Sequence, residues 1–473
     1  MELTQLSVVL FPLCAWYAFA PIRLLQLALV FSTFGAAAAA VIGGLGLPPG
    51  LPPAVLFLAF VGLQYALGAR FSGETAVLRL LEPLIILVIY ALLTSVVLPR
   101  AFAGKFEVWP QKVDSGFPFP ITIGPTPSNY TQDLYLLSNA CVAIFGALFI
   151  TRSDVSPRSL VHTYWWGAAI VAFVSVWQVA SRLGGVFFPT AFFYSNPGWV
   201  IFEGQEFGSV LRTNGPFSEP ASLAFYESGM IYSSAWVLLR GHASRMAMLL
   251  LPVSIGTLSL STSTTGYAVL GAGGAFLLIY ALTVAPKAEA ARILKYGVPF
   301  AVLLVLGVLA AASLDSSFAK SVDEVVTQTL SKSKASSYED RTSLDSDCIA
   351  LLWPTAGLGA GWGSVRSSSL VPGLIANIGI PGIALVLWFA WRIFSSVGRV
   401  RRMGGSADSL LAVDATSAAI VGTLVAAVIS APTISNVDFF LVLALLVGSL
   451  ARMEIAVRQP TPQPRAATGW RTA

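Results

Sequence analysis

Long apolar runs recur along the whole chain, separated by short basic segments and by three longer polar ones. Runs of about 18 residues or more can cross a bilayer as helices. They lack the strict apolar–polar alternation of a membrane barrel, so the pattern predicts an all-α polytopic membrane protein with about 13 transmembrane helices. Residues 348–368 could add a partial or re-entrant span. The predicted spans cover about 4–20, 24–46, 54–69, 80–98, 133–151, 160–181, 221–239, 246–260, 266–284, 297–313, 374–396, 412–432 and 436–456.

The composition excludes a water-soluble protein. Hydrophobic residues make up 56% of the chain and charged residues only 11%, whereas about 25% are charged in ordinary soluble domains. The net charge of +5 is explained by the Lys and Arg residues that polytopic proteins retain on cytoplasmic loops. We therefore expect membrane lipids, and no nucleic acid, as partners.

The distribution of basic residues predicts an orientation. If the spans alternate, the basic segments near 23, 70–79, 152–158, 240–245, 287–295 and 399–402 and the one after 452 share one face, which is then cytoplasmic. The long loops 99–132, 182–219 and 314–346 share the opposite face. This predicts an outer N-terminus, an inner C-terminus, one membrane domain over 1–456 and a disordered cytoplasmic tail over 457–473. Irregular backbone near a membrane needs protein or water around it, so we expect an outward-facing cavity under the loops.

The sequence offers no metal or nucleotide motif. Three cysteines, Cys14, Cys141 and Cys348, are scattered, and the two histidines, His162 and His242, lie near basic segments. Neither set has metal-ligand spacing, so we expect no cofactor. The run 357–363 (Gly-Leu-Gly-Ala-Gly-Trp-Gly) resembles phosphate-binding loops, but no strand precedes it and no Lys follows it. A tight turn that allows close helix packing explains the run equally well.

A polar cluster stands out where a loop enters the predicted span 221–239. It reads Arg212-Thr-Asn-Gly-Pro-Phe-Ser-Glu-Pro-Ala-Ser222. Ser218 suits a helix cap, Glu219 suits the positive end of the helix dipole, and Pro220 is tolerated in the first turn. The alternative is that this segment is only a well-capped helix start.

A second polar cluster, Tyr338-Glu339-Asp340-Arg341, is followed by Arg366. Arginines on the predicted outer face oppose the positive-inside bias and need another explanation. The guanidinium fork matches phosphate oxygens, so converging arginines could hold a diphosphate, and a nearby carboxylate could accept a proton from an attacking hydroxyl. The alternative is that Arg341 pairs with Glu339 or Asp340 on a solvated loop.

These motifs resemble a known family. The stretch Arg212-x-x-Gly215-x-Phe217-x-Glu219-Pro220 is similar to the signature of the O-antigen polymerase and ligase superfamily. That family's later pattern is an arginine, a glycine-rich turn and the opening of a span. This chain has a similar series in Arg341, Trp353-Pro354, the glycine-rich run and the stretch 374–382 (Leu-Ile-Ala-Asn-Ile-Gly-Ile-Pro-Gly). The resemblance covers about 205–395.

The resemblance implies a metal-independent, membrane-embedded glycosyltransferase of the C class. It would act on a polyprenyl (undecaprenyl) diphosphate-linked oligosaccharide at the outer face of the bacterial inner membrane. Arg212 and Arg341 would grip the diphosphate, with Arg366 as a third candidate, and Glu219 would act as the base or orient the acceptor hydroxyl. Further candidates for substrate contact are Asn214, Tyr338, Glu339 and Asp340.

One departure bears on the type of enzyme. Ligases of this superfamily tend to carry a histidine just after the glycine-rich turn, where this chain has Ser367-Ser-Ser-Leu370. This favours a polymerase of an exopolysaccharide, capsule or O-antigen over a ligase, and it leaves Glu219, Glu339 and Asp340 open as the base. The family alone implies a regulator of chain length as a partner. A transporter is a third hypothesis, but the chain lacks the repeated halves and midplane charges expected of one.

Overall fold

The computed structural model describes residues 2–111, 119–202, 204–207, 210–314, 316–331, 336–431 and 434–458. The helices are α1 (Ser7–Trp16), α2 (Pro21–Phe31), α3 (Leu51–Ala66), α4 (Glu74–Ala101), α5 (Pro127–Ile150), α6 (Pro157–Gly184), α7 (Thr190–Phe193), α8 (Pro220–Leu239), α9 (Arg245–Leu260), α10 (Thr264–Thr283), α11 (Lys287–Arg292), α12 (Val298–Leu314), α13 (Ser316–Leu330), α14 (Ser336–Ala350), α15 (Leu370–Met403), α16 (Ala407–Ser430) and α17 (Val437–Arg458). A π-helical turn (Ile293–Gly297) joins α11 to α12. The strands are β1 (Glu2–Leu3), β2 (Ala40–Ile42), β3 (Leu45–Leu47), β4 (Glu107–Val108), β5 (Ile121–Thr122), β6 (Glu206–Phe207) and β7 (Val210–Leu211).

The strands form small antiparallel ribbons between helices: β1-β2-β3, β4-β5 and β6-β7. Within the part of the chain that the structure describes, eight helices are long and apolar enough to cross a membrane, so the predicted class, an all-α membrane protein, is confirmed. These helices are Glu74–Ala101, Pro127–Ile150, Pro157–Gly184, Thr264–Thr283, Lys287–Leu314, Leu370–Met403, Ala407–Ser430 and Val437–Ala456.

The centre of the bundle is formed by α16 and α17, which pack against α8 and α5 respectively. Small residues allow the backbones to approach closely, as is usual between helices in membranes. A Cβ added to Gly422 would lie 2.5 Å from the Ser228 carbonyl oxygen, and one added to Gly229 would lie 2.8 Å from Thr423 Oγ1. The polar segment before α8 is thereby attached to the most tightly packed part of the molecule.

The predicted span 24–46 is wrong in its second half, because α2 ends at Phe31. The chain then takes an irregular course and enters the β2–β3 hairpin. Its backbone is used by distant loops: the Ala36 N–H donates to the Pro216 carbonyl (3.0 Å), and the Ala36 carbonyl accepts from the Asn196 N–H (3.1 Å). With 10 and 11 residues, α1 and α2 are each about 15 Å long, half of the hydrocarbon core.

The third predicted loop, 314–346, is also wrong as a loop. Helix α13 and the first part of α14 occupy most of its described residues. Apolar residues recur at helical spacing in α13, for example at Ala319, Val322 and Val326, and this period produces an amphipathic helix despite the polar composition. Of the predicted tail, 459–473 lies outside the described residues, while α17 extends to Arg458.

The glycine-rich run forms a turn that packs against a break in α15. Gly379 interrupts that helix with φ +60°, and Gly359 has φ +81°. A Cβ on Gly359 would lie 2.7 Å from the Gly379 nitrogen. Two backbone hydrogen bonds join the turn to α15 at this break. The Gly361 N–H donates to the Asn377 carbonyl (3.1 Å), and the Ile380 N–H donates to the Gly357 carbonyl (2.8 Å). Close backbone packing, one of the two readings of this run, therefore accounts for these glycines.

Candidate anion-binding site at one end of the bundle

The polar segment 212–219 lies where the C-terminal ends of α6 and α9 meet the N-terminus of α8; we call this region the site end. The guanidinium of Arg212 is held by Nε, which donates to the Ser261 carbonyl (3.2 Å), and by Nη1, which donates to Gln205 Oε1 (3.0 Å). Arg182, near the end of α6, donates to the Arg212 carbonyl. The position of Arg212 is thus fixed from three directions.

A buried amide network supports the loop beneath Arg212. Gln178 Oε1 accepts hydrogen bonds from the backbone N–H groups of Asn214 (3.1 Å) and Gly215 (3.0 Å). Gln178 Nε2 donates to Asn214 Oδ1 and to Tyr194 Oη, both at 2.7 Å. Asn214 Nδ2 donates to the Phe217 carbonyl (2.7 Å). Asn214 is fully buried, so the structure gives this predicted substrate contact a positioning role in the loop.

The start of α8 presents Glu219 at the site end. Glu219 is itself the N-cap residue, in an extended conformation, and Pro220 follows in the first turn. The predicted cap, Ser218, is wrong; its carbonyl accepts from the Phe202 N–H (2.9 Å). Within the described residues the Glu219 side chain makes no capping hydrogen bond, and Ser222 Oγ lies 3.5 Å from its Oε1. Proline at the first helical position explains why the helix begins here.

The structure brings Arg212, Glu219 and Arg341 together from distant parts of the sequence. Burial lowers the pKa of Arg212; the nearby carboxylate of Glu219 opposes this shift, and the positive charge of Arg341 adds to it. Tyr267 of α10 also interacts electrostatically with Arg212. Two arginines that repel each other raise the local positive potential, which is the arrangement an anion would stabilise.

Arg341 reaches the site end on α14, which Asp345 fastens to the start of α15. Asp345 Oδ1 accepts from the Ser368 N–H (2.8 Å), and Oδ2 accepts from the Ser369 hydroxyl (2.6 Å). Ser369 is the N-cap residue of α15. Sequence reasoning missed Asp345, although the serines before an apolar run were a cap signal. The other members of the second cluster, Tyr338, Glu339 and Asp340, are exposed on α14.

Arg366 has an exposed side chain on the segment between the glycine-rich turn and α15. Its backbone N–H donates to the Trp109 carbonyl (2.9 Å) and its carbonyl accepts from the Cys348 thiol (3.3 Å). Burial, with the nearby Asp345 and Asp347, raises the pKa of Cys348 to about 12. This thiol therefore stays protonated and is no nucleophile at neutral pH.

A different charged cluster lies at the other end of α8, which we call the basic end. Asp414 of α16 accepts from His242 Nε2 (2.8 Å) and pairs with Arg401 of α15. Arg240 pairs with Glu289, which also accepts from Tyr280 Oη (2.9 Å); the basic-end cluster comprises Arg240, His242, Glu289, Arg401 and Asp414. The other histidine, His162, stacks on Trp165 with ring centroids 5.7 Å apart.

Two acidic residues inside helices were missed by the sequence reasoning. Glu227 lies in α8 and is fully buried, and Asp438 lies in the first turn of α17. The available signal was a single acidic residue inside an apolar run, since ionisable groups at membrane depth are usually functional. Among the described residues, no group of three or more His, Cys, Asp or Glu side chains is arranged to hold a metal ion.

No protein-family model matches the chain, and no curated protein shows significant similarity to it.

Proposed function

We propose that the protein is a polysaccharide polymerase that transfers a growing glycan from a polyprenyl diphosphate to the next lipid-linked repeat unit. The observation that carries the proposal is the convergence of Arg212 and Arg341 within electrostatic range of each other and of Glu219. This set suits a diphosphate: the guanidinium groups match its oxygens, and the carboxylate stands beside the place where a hydroxyl would attack.

The chemistry follows from this arrangement. The acceptor hydroxyl attacks the anomeric carbon, its proton passes to Glu219, and the bond between that carbon and the diphosphate oxygen breaks. Negative charge develops on the leaving diphosphate, so fixed arginines stabilise the transition state more than the bound substrate. Glu339 and Asp340 remain candidate bases on α14.

Finer features belong to the same proposal. The hydrophobic runs predict about 13 spans, and the resemblance implies a fold like that of C-class glycosyltransferases in the bacterial inner membrane, with the site end on the periplasmic face. The N-terminus would then be outside and the C-terminus inside, and a regulator of chain length would be a partner.

The decisive experiment supplies purified protein in detergent with a polyprenyl diphosphate-linked repeat unit, without metal or nucleotide. We expect a ladder of products that is lost in Arg212→Ala and in Arg341→Ala, with folding checked by size exclusion and circular dichroism. Arg366→Ala tests the third candidate arginine, and Arg152→Ala, which removes an arginine paired with Asp154, serves as the control.

Other outcomes would replace the proposal. A single transfer to an added acceptor, without a ladder, would indicate a ligase. Movement of the lipid-linked substrate across proteoliposomes without any transfer would indicate a transporter.

A further inference from the structure

Glu227 lies inside the bundle, below the site end. It follows Glu219 by two helical turns of α8, a separation of about 12 Å along the axis. The residue has no exposed surface, and within the described part of the chain neither carboxyl oxygen has a hydrogen-bond partner. Ser254 of the adjacent α9 lies close to the Glu227 carboxyl, and its Oγ also lacks a hydrogen-bond partner among the described residues.

The other groups that face Glu227 come from three neighbouring helices. Tyr164 of α6 and Tyr226 of α8 both interact electrostatically with Glu227 and with Asp438 of α17. From α16, the Thr423 hydroxyl borders Gly229, two residues further along α8 than Glu227. These groups are hydroxyls and a second acid, and none of them carries a positive charge.

The balance of these groups decides the charge of Glu227. A carboxylate buried without a cationic partner or hydrogen bonds costs several kcal/mol or more. The neutral acid avoids that cost, because it needs no counter-charge and can donate its own proton to a neighbouring oxygen.

We propose that Glu227 is a proton-binding site within the helix bundle, with a proton as its ligand and the Ser254 hydroxyl beside it. The folded protein holds this proton at neutral pH, whereas the same carboxyl exposed on unfolding releases it. The site is independent of the chemistry proposed for Arg212 and Arg341, and it would persist if the protein proved to be a transporter.

Infrared difference spectroscopy of the full-length protein tests the proposal directly. The carbonyl stretch of a protonated carboxylic acid is separate from the bands of a carboxylate. Subtracting the spectrum of Glu227→Gln from that of the wild type at neutral pH should reveal a protonated-acid band. A carboxylate band in that difference would overturn the proposal. Asp438→Asn is the matched control, because it removes the neighbouring acid and leaves Glu227 in place.

A second variant keeps the carboxyl itself. Ser254→Ala removes the hydroxyl close to Glu227. A hydroxyl can donate a hydrogen bond to a carboxylate and so favours the ionised acid. Without it, the protonated-acid band of Glu227 should persist to higher pH than in the wild type. An unchanged pH of disappearance would contradict the assigned pairing. This arm is informative even if Glu227→Gln fails to fold.

Thermal unfolding supplies an independent readout. Because the folded state binds one proton more than the unfolded state, the wild type should lose stability as pH rises, with its unfolding constant growing by up to about tenfold per pH unit relative to Glu227→Gln. Equal pH dependence of the two proteins would contradict the proposal. Replacing choline chloride with sodium chloride should change neither protein; a stabilisation by sodium confined to the wild type would show that the site takes a metal ion instead.

Discussion

The charged clusters at the two ends of α8 differ in the partners of their arginines. At the basic end, carboxylates contact arginines directly, Asp414 with Arg401 and Glu289 with Arg240, and Asp414 also contacts the His242 ring. At the site end, Arg212 donates to neutral oxygens of Ser261 and Gln205 and shares its surroundings with a second arginine.

The difference separates charges that hold the protein together from charges that can act on a ligand. At the basic end, each carboxylate is paired with an arginine of the same cluster. These ion pairs join α8, α11, α15 and α16. At the site end two arginines and the carboxylate of Glu219 lie within electrostatic range of one another, and under the proposed function they act on an anionic ligand. Removing a charge should therefore reduce stability at the basic end and activity at the site end.

The largest effect is expected from Arg212→Ala and Arg341→Ala on glycan transfer. Loss of one charge that stabilises the transition state typically lowers kcat by about 10²–10³-fold. Because both arginines would hold the same diphosphate, we expect the double variant to lose less than the product of the single effects. Rates of ladder formation measure this, and fully independent effects would break the assignment of a shared ligand.

Asp414→Asn should cause the largest loss of stability. It leaves the partly buried Arg401 without its carboxylate partner, while Arg240 keeps its pair with Glu289. Removing one partner of a fully buried pair typically costs about 3–5 kcal/mol, so we expect a loss of up to about 3 kcal/mol here. Chemical unfolding in detergent measures the change. Unchanged stability would show that the basic-end cluster is not a structural element, and the contrast between the two ends would then fail.

Gln178→Leu should loosen the site loop. It leaves the backbone N–H groups of Asn214 and Gly215 buried without acceptors, at about 1–3 kcal/mol. Tyr194→Phe removes a single hydroxyl from the same network and should cost about 1 kcal/mol. Unfolding experiments measure both, and a larger effect for Tyr194→Phe would contradict the central position given to Gln178.

Asp154→Asn tests an exposed ion pair for comparison with the buried cluster. The hydrogen bond from Arg152 lowers the pKa of Asp154, so the pair stabilises the fold at neutral pH, and this contribution is lost as pH falls below the ordinary carboxyl range near about 3.9. Since the side chains of Arg152 and Asp154 are 40% and 63% exposed, the loss of stability should stay below about 1 kcal/mol. Unfolding curves at pH 7 and pH 3 measure it, and the difference in stability between the two proteins should be smaller at the lower pH.

The smallest change in stability is expected for Arg341→Gln. Arg341 is exposed and is repelled by Arg212, so its removal should alter stability by no more than about 0.5 kcal/mol while activity falls. Thermal unfolding without substrate measures this. A large destabilisation would mean that Arg341 is part of the structure in the way Asp414 is.

The sequence by itself determined the class of protein and the positions of most of its helices. Hydrophobic length and the shortage of charge require a helical bundle, since only helices satisfy their backbone within such segments. It also located the start of α8 to within one residue, because Pro220 and the polar residues before it are local signals. The predictions for 32–46 and 314–346 were wrong because they relied on composition and not on periodicity. The alanine-rich run 32–46 proved irregular, and the polar run 314–346 proved largely helical.

Only the tertiary structure decided which residues from distant parts of the sequence lie close to one another. The proximity of Arg212 and Arg341 depends on how α14 is fastened by Asp345 to the start of α15, and no local pattern encodes that contact. Asn214 resembled a substrate ligand until packing placed it under Gln178, and the glycine-rich run resembled a phosphate loop until its backbone was found bonded to the break in α15. Sequence patterns report the periodicity of one segment, whereas burial and charge at a site depend on the segments that pack against it.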